Sequence, residues 1–225
     1  MCIRDSLVTA ALDLDAIIAA AGPLRAATGS ITPPPPGQRI AMASDVGFGF
    51  AYTHMMEGWR NAGAEIIPFS PLADKAPDPD ADFIFLPGGY PELHLPALAK
   101  AASFHAGLRD AASRDVRIYG ECGGFMTLGE AIFDADGTAF PMAGLLRLET
   151  SFATRKLHLG YRSLTPLTDF WPDLGTVTGH EFHYTTAIGA TGAALFQMRN
   201  AAGDDLGTAG LTSGSVCGSY AHIIA

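Results

Sequence analysis

Short apolar runs alternate with helix-period stretches from residue 39 to residue 121, and this rhythm constrains the fold more than any other feature. The strand-length runs are "RIAMAS", "AEIIPFS", "FIFLPGG" and "VRIYGE". Between them lie "FAYTHMMEGWRNAG" and "LPALAKAASFHAGLRDAAS", whose apolar residues recur at helical spacing. The strands are apolar along their length rather than alternately polar, as expected where both faces of a sheet are covered. The sequence therefore predicts an α/β fold: a mostly parallel twisted sheet with helices on both faces. Such sheets bind ligands at the carboxyl ends of their strands. From Gly144 onward the pattern changes to shorter strands and turns, in "GLLRLETSFA", "TVTGHEFHYTTA", "ALFQMRN" and "GSVCGSYAHI".

"TPPPPGQ", residues 32–38, places four consecutive prolines ahead of the first strand. Prolines donate no backbone hydrogen bond and favour a stiff extended spacer, so a boundary is expected there. Residues 39–225 then form the main domain. Upstream, "LDLDAIIAAA" reads as one short helix within a remnant, residues 1–31, of a preceding domain. "MCIRDS" carries no usable periodicity and reads as a foreign start.

Several function classes fall away on charge and composition. Acidic residues outnumber basic ones by 23 to 14, for a net charge of −9, which leaves no basic footprint for nucleic acid. Asp13 and Asp15 interrupt the most apolar early stretch, and nothing approaches the roughly 20 uncharged residues of a bilayer span, so no membrane partner is expected. The cysteines are Cys2, Cys122 and Cys217, an odd number without CxxC spacing. That argues against a disulfide framework or a thiolate metal site and points to the cytoplasm.

One of these cysteines sits in unusual company. In "IYGECGGFM", residues 118–126, Cys122 falls where a strand pattern ends and a helical one begins, flanked by Gly120, Gly123 and Gly124. A sharp strand-to-helix turn needs such residues without Cβ, and it presents a nucleophile at its tip. The positive end of the following helix favours a thiolate. A small buried hydrophobe is the alternative for any free cysteine.

A nucleophilic thiol needs a base. His54, His94 and His105 lie in or beside helical patterns and read as surface or satisfied histidines; His158 stays open. His180 and His183, in "GHEFHYTT", are the stronger candidates. In an extended segment alternation puts Glu181 and His183 on one face, with His180 and Phe182 on the other, which makes Glu181 a candidate for orienting His183 or binding substrate and suits His180 to the core. No further ligands accompany the histidine pair at metal-binding spacing, so no metal is expected. His222 either lines a site or caps the last strand. "FLPGGYPE", residues 85–92, supplies backbone N–H groups at Gly88 and Gly89 that suit a developing oxyanion, with Gly123 as partner; a plain turn is the alternative. Elbow, turn and histidine together fit acyl transfer through a thioester. Phe48, Phe50 and Tyr52 read as core aromatics. Tyr161 and Arg162, in "LGYR", are candidates for orienting or substrate binding, with a structural salt bridge as the alternative.

Five segments in order, "FSPLAD", "FLPGGYPELH", "YGECGGFMTLGEA", "TSFATRKLHLGYR" and "GHEFHY", resemble the C-terminal glutamine amidotransferase domain of the cobyrinate or hydrogenobyrinate a,c-diamide synthases. The resemblance runs from about Arg39 to the C-terminus and implies the flavodoxin-like scaffold of class I glutamine amidotransferases. By it, Cys122 attacks the side-chain amide of glutamine, His183 shuttles the proton, and Gly89 with Gly123 holds the oxyanion. Ammonia then passes to a corrinoid carboxylate in the synthetase domain, for which ATP and Mg²⁺ are implied.

Three departures accompany it. No GxxxxGK[ST] loop exists, and the only lysines are Lys75, Lys100 and Lys156, so this chain itself is expected to bind no cofactor and to lack the ligase half. Thr185 stands two residues after the histidine, where ordinary triads place a glutamate. Met126 stands four residues after the nucleophile, where many relatives carry glutamine; this matches the diamide synthase branch. The alternatives are a stand-alone amidotransferase subunit, another cysteine hydrolase on the same scaffold, or a truncated glutamine-binding domain without turnover.

Overall fold

The computed structural model describes residues 10–22 and 32–225. The chain divides between Ser30 and Ile31 into two units. In the first, helix α1 (Leu14–Ala20) begins at Asp13, whose side chain accepts from the Ala16 N–H at 2.9 Å. This is the short helix expected from "LDLDAIIAAA". The foreign start at residues 1–6, and the rest of the remnant apart from 10–22, lie outside the described residues.

In the second unit, the proline run lies against the domain that follows it. Pro33 and Pro36 are buried. The indole N–H groups of Trp59 and Trp171 donate to the carbonyls of Pro33 and Pro34, at 3.1 and 2.9 Å. Prolines offer acceptors without donors, so each carbonyl needs such a partner once buried.

Among the described residues the strands form three sheets. The central one has the order β13-β14-β4-β3-β1-β2. Its parallel members are β1 (Arg39–Ala43), β2 (Glu65–Phe69), β3 (Phe83–Leu86), β4 (Arg117–Glu121) and β14 (Val216–Ser219). Only β13 (Leu211–Ser213), at the edge, is antiparallel. The order 2-1-3-4 followed by a late fifth strand is the flavodoxin-like winding, which reverses between β1 and β3 and opens a crevice at their carboxyl ends.

Strand alternation sorts side chains onto two cores. Ala41, Ala43, Ile84, Leu86 and Ile118 face one way, against Phe104 and Leu108 of α4 (Ala102–Ser113) and Phe125 of α5 (Gly123–Leu128). Ile40, Met42, Phe83, Phe85 and Tyr119 face the other way, against Met55, Met56 and Trp59 of α2 (Thr53–Asn61). Helices thus cover both faces, as expected. The C-terminal strands supply the remaining cover. One sheet has the order β10-β7-β5-β6 and closes over the first face through Ile132 and Leu148; its strands are β5 (Ala131–Phe133), β6 (Ala139–Pro141), β7 (Arg147–Ser151) and β10 (Thr186–Thr191). The other has the order β12-β11-β8-β9-β15 and closes over the second face through Leu164, Val177, Phe196 and Ile223; it comprises β8 (His158–Pro166), β9 (Val177–His183), β11 (Phe196–Asn200), β12 (Asp205–Ala209) and β15 (His222–Ile223).

The helical stretch 95–113 is broken rather than continuous. Helix α3 (Leu95–Lys100) ends at Ala101, whose ψ of 72° leaves the helical region before α4 starts. The Leu98 carbonyl takes the Ala101 N–H at 3.0 Å and also accepts from His105 Nε2 at 2.9 Å, so His105 is a core histidine held through one ring nitrogen, its Nδ1 having no hydrogen-bond partner among the described residues.

Close packing of α5 on the sheet requires one glycine absolutely. A Cβ on Gly124 would sit 2.0 Å from the Leu86 carbonyl oxygen, which belongs to β3 backbone and cannot yield. Gly124→Ala is therefore expected to cost about 3 kcal/mol, read as a lower urea midpoint at unchanged m-value.

Candidate active site

Cys122 caps the N-terminus of α5 with φ 46° and ψ −103°, a left-handed conformation rare for a residue with a side chain. The strain is held from both sides. The Cys122 N–H donates to the Ser219 carbonyl at 2.8 Å, and the Cys122 carbonyl accepts the Met126 N–H at 3.0 Å. This is the predicted strand-to-helix elbow. The thiol differs from expectation, since burial pushes it up to about 12, while the N–H of Gly123 pulls the other way and Glu92, Glu121 and Glu181 raise it further. Desolvation therefore outweighs the end of a six-residue helix, and the resting sulfur is a neutral thiol.

His183 ends β9, buried as alternation requires, with Glu181 on the same face and His180 and Phe182 outward. Its Nδ1 lies 3.2 Å from the Thr185 carbonyl oxygen, an acceptor only, so Nδ1 carries the proton and Nε2 the lone pair. The ring is stacked between His158, at 4.6 Å, and Tyr220, at 3.9 Å. Glu181 Oε1 lies 3.9 Å from Nε2, and Glu181 Oε2 accepts from Arg162 Nε at 2.7 Å. Burial raises the Glu181 carboxyl, but the neighbouring His183 ring and the Arg162 guanidinium more than offset this and hold it below its ordinary value. A backbone carbonyl thus sets the tautomer, and Glu181 faces the nitrogen at which a proton would arrive.

Cys122 and His183 line one cavity of ≈ 420 Å³, together with Gly89, Glu92, Met126 and Arg155. The glycine turn is packed tightly around them. A Cβ on Gly123 would stand 3.1 Å from the Gly89 nitrogen, and one on Gly89 would stand 2.1 Å from the Gly47 carbonyl oxygen. The Gly89 nitrogen therefore lies close to Gly123, the residue that follows the nucleophile, and Gly89 lines the same cavity as Cys122. Gly88 is backed by the His222 ring, 2.1 Å from where its Cβ would be.

Across residues 39–225 the chain matches the model of the CobB/CobQ-like glutamine amidotransferase domain. The chain belongs to that family. It is 52% identical over 219 residues to a hydrogenobyrinate a,c-diamide synthase from Rhizobium meliloti, covering 96% of this chain and 51% of the relative. A synthase of the same name from Brucella anthropi is 57% identical over 191 residues, 84% of this chain and 44% of the relative. The chain thus spans about half the length of the relatives it matches. A glutamine amidotransferase from Thermotoga maritima shares the fold at a TM-score of 0.52 and 15% identity, over 82% of this chain and 75% of that one.

Within this amidotransferase domain the remaining sequence candidates fall in several places. Tyr161 is 64% exposed and, like Arg162, does not line the cavity; the Arg162 guanidinium is committed to Glu181. His180 belongs to no core. It is half-buried, in a short hydrogen bond with the Tyr52 hydroxyl and stacked on His222 at 4.8 Å. His54 Nε2 donates to the Ile224 carbonyl at 2.8 Å. Phe48 is core, while Phe50 and Tyr52 are only partly buried and Phe50 lines the cavity. Glu92 and Arg155, opposite charges on one cavity wall, were not singled out from sequence; both sit inside quoted motifs, yet an isolated charge in a loop carries no periodic signal. Burial raises the Glu92 carboxyl, and Arg155 and His94 lower it in part. Among the described residues no group of three or more His, Cys, Asp or Glu side chains is placed to hold a metal ion, and no helix is long and apolar enough to cross a membrane.

Proposed function

We propose that this domain is the glutaminase part of an ATP-dependent corrinoid a,c-diamide synthase, with hydrogenobyrinate as the corrinoid. The observation that carries the reading is the strained Cys122 elbow opening, with His183 and Gly89, into one cavity of ≈ 420 Å³. The names of the relatives supply the corrinoid.

In the proposed reaction, Cys122 Sγ attacks the side-chain carbonyl carbon of glutamine as its proton passes to His183 Nε2. Charge builds on the former carbonyl oxygen beside the Gly89 and Gly123 N–H groups, with Gly88 completing the turn. The C–N bond breaks as His183 returns the proton to the leaving nitrogen, releasing ammonia and a thioester. Water then gives a proton to His183 and attacks the thioester, freeing glutamate and the thiol. Glu181 stabilises the imidazolium in each half. Glu92 and Arg155 match the α-ammonium and α-carboxylate of glutamine.

Ammonia is passed to a corrinoid side-chain carboxylate in the synthetase half of such an enzyme, where ATP with Mg²⁺ supplies the activation of the carboxylate. This chain has no GxxxxGK[ST] loop, so none of its residues is assigned to nucleotide.

The test pairs this chain with the N-terminal half of a hydrogenobyrinate a,c-diamide synthase relative, hydrogenobyrinate, ATP and Mg²⁺. Diamide formation driven by glutamine, and dependent on this chain, is expected. Diamide made from added ammonium but never from glutamine would overturn the reading.

A further inference from the structure

The residue just before the nucleophile is a carboxyl sealed in the core. Glu121 is 1% exposed and ends β4. Its Oε1 accepts the Ile223 N–H at 3.0 Å, and its Oε2 lies 3.8 Å from His222 Nδ1. Neither Arg nor Lys pairs with it among the described residues. His222 is equally buried, and its Nδ1 has no hydrogen-bond partner among the described residues. The same imidazole backs Gly88, so it joins the base of the elbow to the turn that carries the N–H groups.

Two oxygens and one nitrogen thus face one another, with the Ile223 N–H and the buried Tyr119 hydroxyl as the donors beside Glu121 and none at His222 Nδ1. An ionised carboxylate with two neutral donors and no cation is costly in such a place, and a buried ion pair must recover two desolvation penalties. One proton on Glu121 answers both needs: the acid buries no charge, and its O–H is the donor for the vacant Nδ1, 3.8 Å from Oε2, once the two groups close by about 1 Å. We propose that Glu121 is a positioning residue that keeps its proton and donates it to His222 Nδ1, so that the imidazole braces the Gly88–Gly89 turn in register with Cys122.

Burial pushes Glu121 up to about 8, against the pull of the Ile223 N–H and Tyr119, and pushes His222 down to about 4. Both directions favour the neutral pair at pH 7. The other titratable groups facing the pair are Tyr119 and Cys122 from β4 and its elbow, Tyr52 from the start of α2, and His180 and His183 from β9. The bracing role rests on the proposed glutaminase reading; the proton between Glu121 and His222 does not, and the two are tested separately.

Imidazole ¹⁵N NMR of the whole chain at pH 7 addresses the proton. A neutral His222 protonated on Nε2, with Nδ1 accepting, is expected; an imidazolium or a proton on Nδ1 would overturn the proposal. Thermal melts add the sign. Glu121 disfavours the folded state increasingly as pH rises from 4.5 towards about 8, whereas His222 does so as pH falls from 6.5 towards about 4. The Tm gain of Glu121→Gln over wild type should therefore widen from pH 4.5 to 8, and a gap independent of pH would count against it. For the bracing role, labelling of Cys122 by 6-diazo-5-oxonorleucine should slow more than tenfold in Glu121→Met and be restored in Glu121→Gln, which keeps a donor. Equal rates in the two variants would refute bracing. If the wild type is not labelled, the glutamine reading falls, while NMR and melts still decide the proton.

Discussion

Cys122→Ala should lower kcat/KM for glutamate release by about 10⁴-fold or more, because no other group in the cavity can form the thioester. The resting thiol makes a sharper demand. With burial holding it up to about 12, the thiolate fraction should climb about tenfold per pH unit across the accessible range. Alkylation by iodoacetamide, followed by mass spectrometry of the Cys122 peptide, should give a log-rate slope near one from about pH 7 to 10 without a plateau. A plateau below pH 9 would mean a thiolate already formed and would remove the need for proton transfer at attack. Cys217 is fully buried on β14, with its thiol raised by desolvation, and should stay unlabelled in the Cys122→Ala protein.

That slope also marks the boundary of what the sequence made legible. The elbow was readable because glycines at 120, 123 and 124 are a local signal, and the structure accounts for each by a Cβ contact under 3.0 Å. The central sheet was readable because its strands are apolar throughout. The state of the sulfur was not, because desolvation depends on what closes over the elbow: Tyr220 and the C-terminal sheets, from distant parts of the chain. The Glu181–His183 face followed from period-two alternation. What orients His183 did not, because the Thr185 carbonyl is backbone and carries no residue signature. Glu121 and His222 lie 101 residues apart, and parallel pairing of β14 with β4, followed by β15 against β9, brings them together. Arg162 was open between substrate contact and salt bridge, and only the register Gly160↔Glu181 and Arg162↔Gly179 places its guanidinium on Glu181.

His183→Ala is expected to lower kcat by about 10³-fold with a small change in KM, since a neutral thiol cannot attack without a base and Glu92 and Arg155 stay in place. A second histidine tests the assignment. His158 is stacked on His183 at 4.6 Å and is the other imidazole against that ring on this side. Geometry separates them: His183 has a carbonyl on Nδ1, a carboxylate facing Nε2 and a place in the cavity wall, whereas His158 is only stacked beside it and lines none of the cavity. His158→Ala should therefore cost less than tenfold. Removing the His183 ring leaves a gap beside the cavity, so added imidazole should restore activity to His183→Ala in proportion to its unprotonated fraction. Rescue of His158→Ala instead, or a loss below tenfold in His183→Ala, would move the base to the neighbouring ring. Glu181→Gln keeps the shape and removes the charge facing Nε2, so its kcat should fall about tenfold while KM holds, because the carboxylate stabilises the imidazolium only after the proton has arrived.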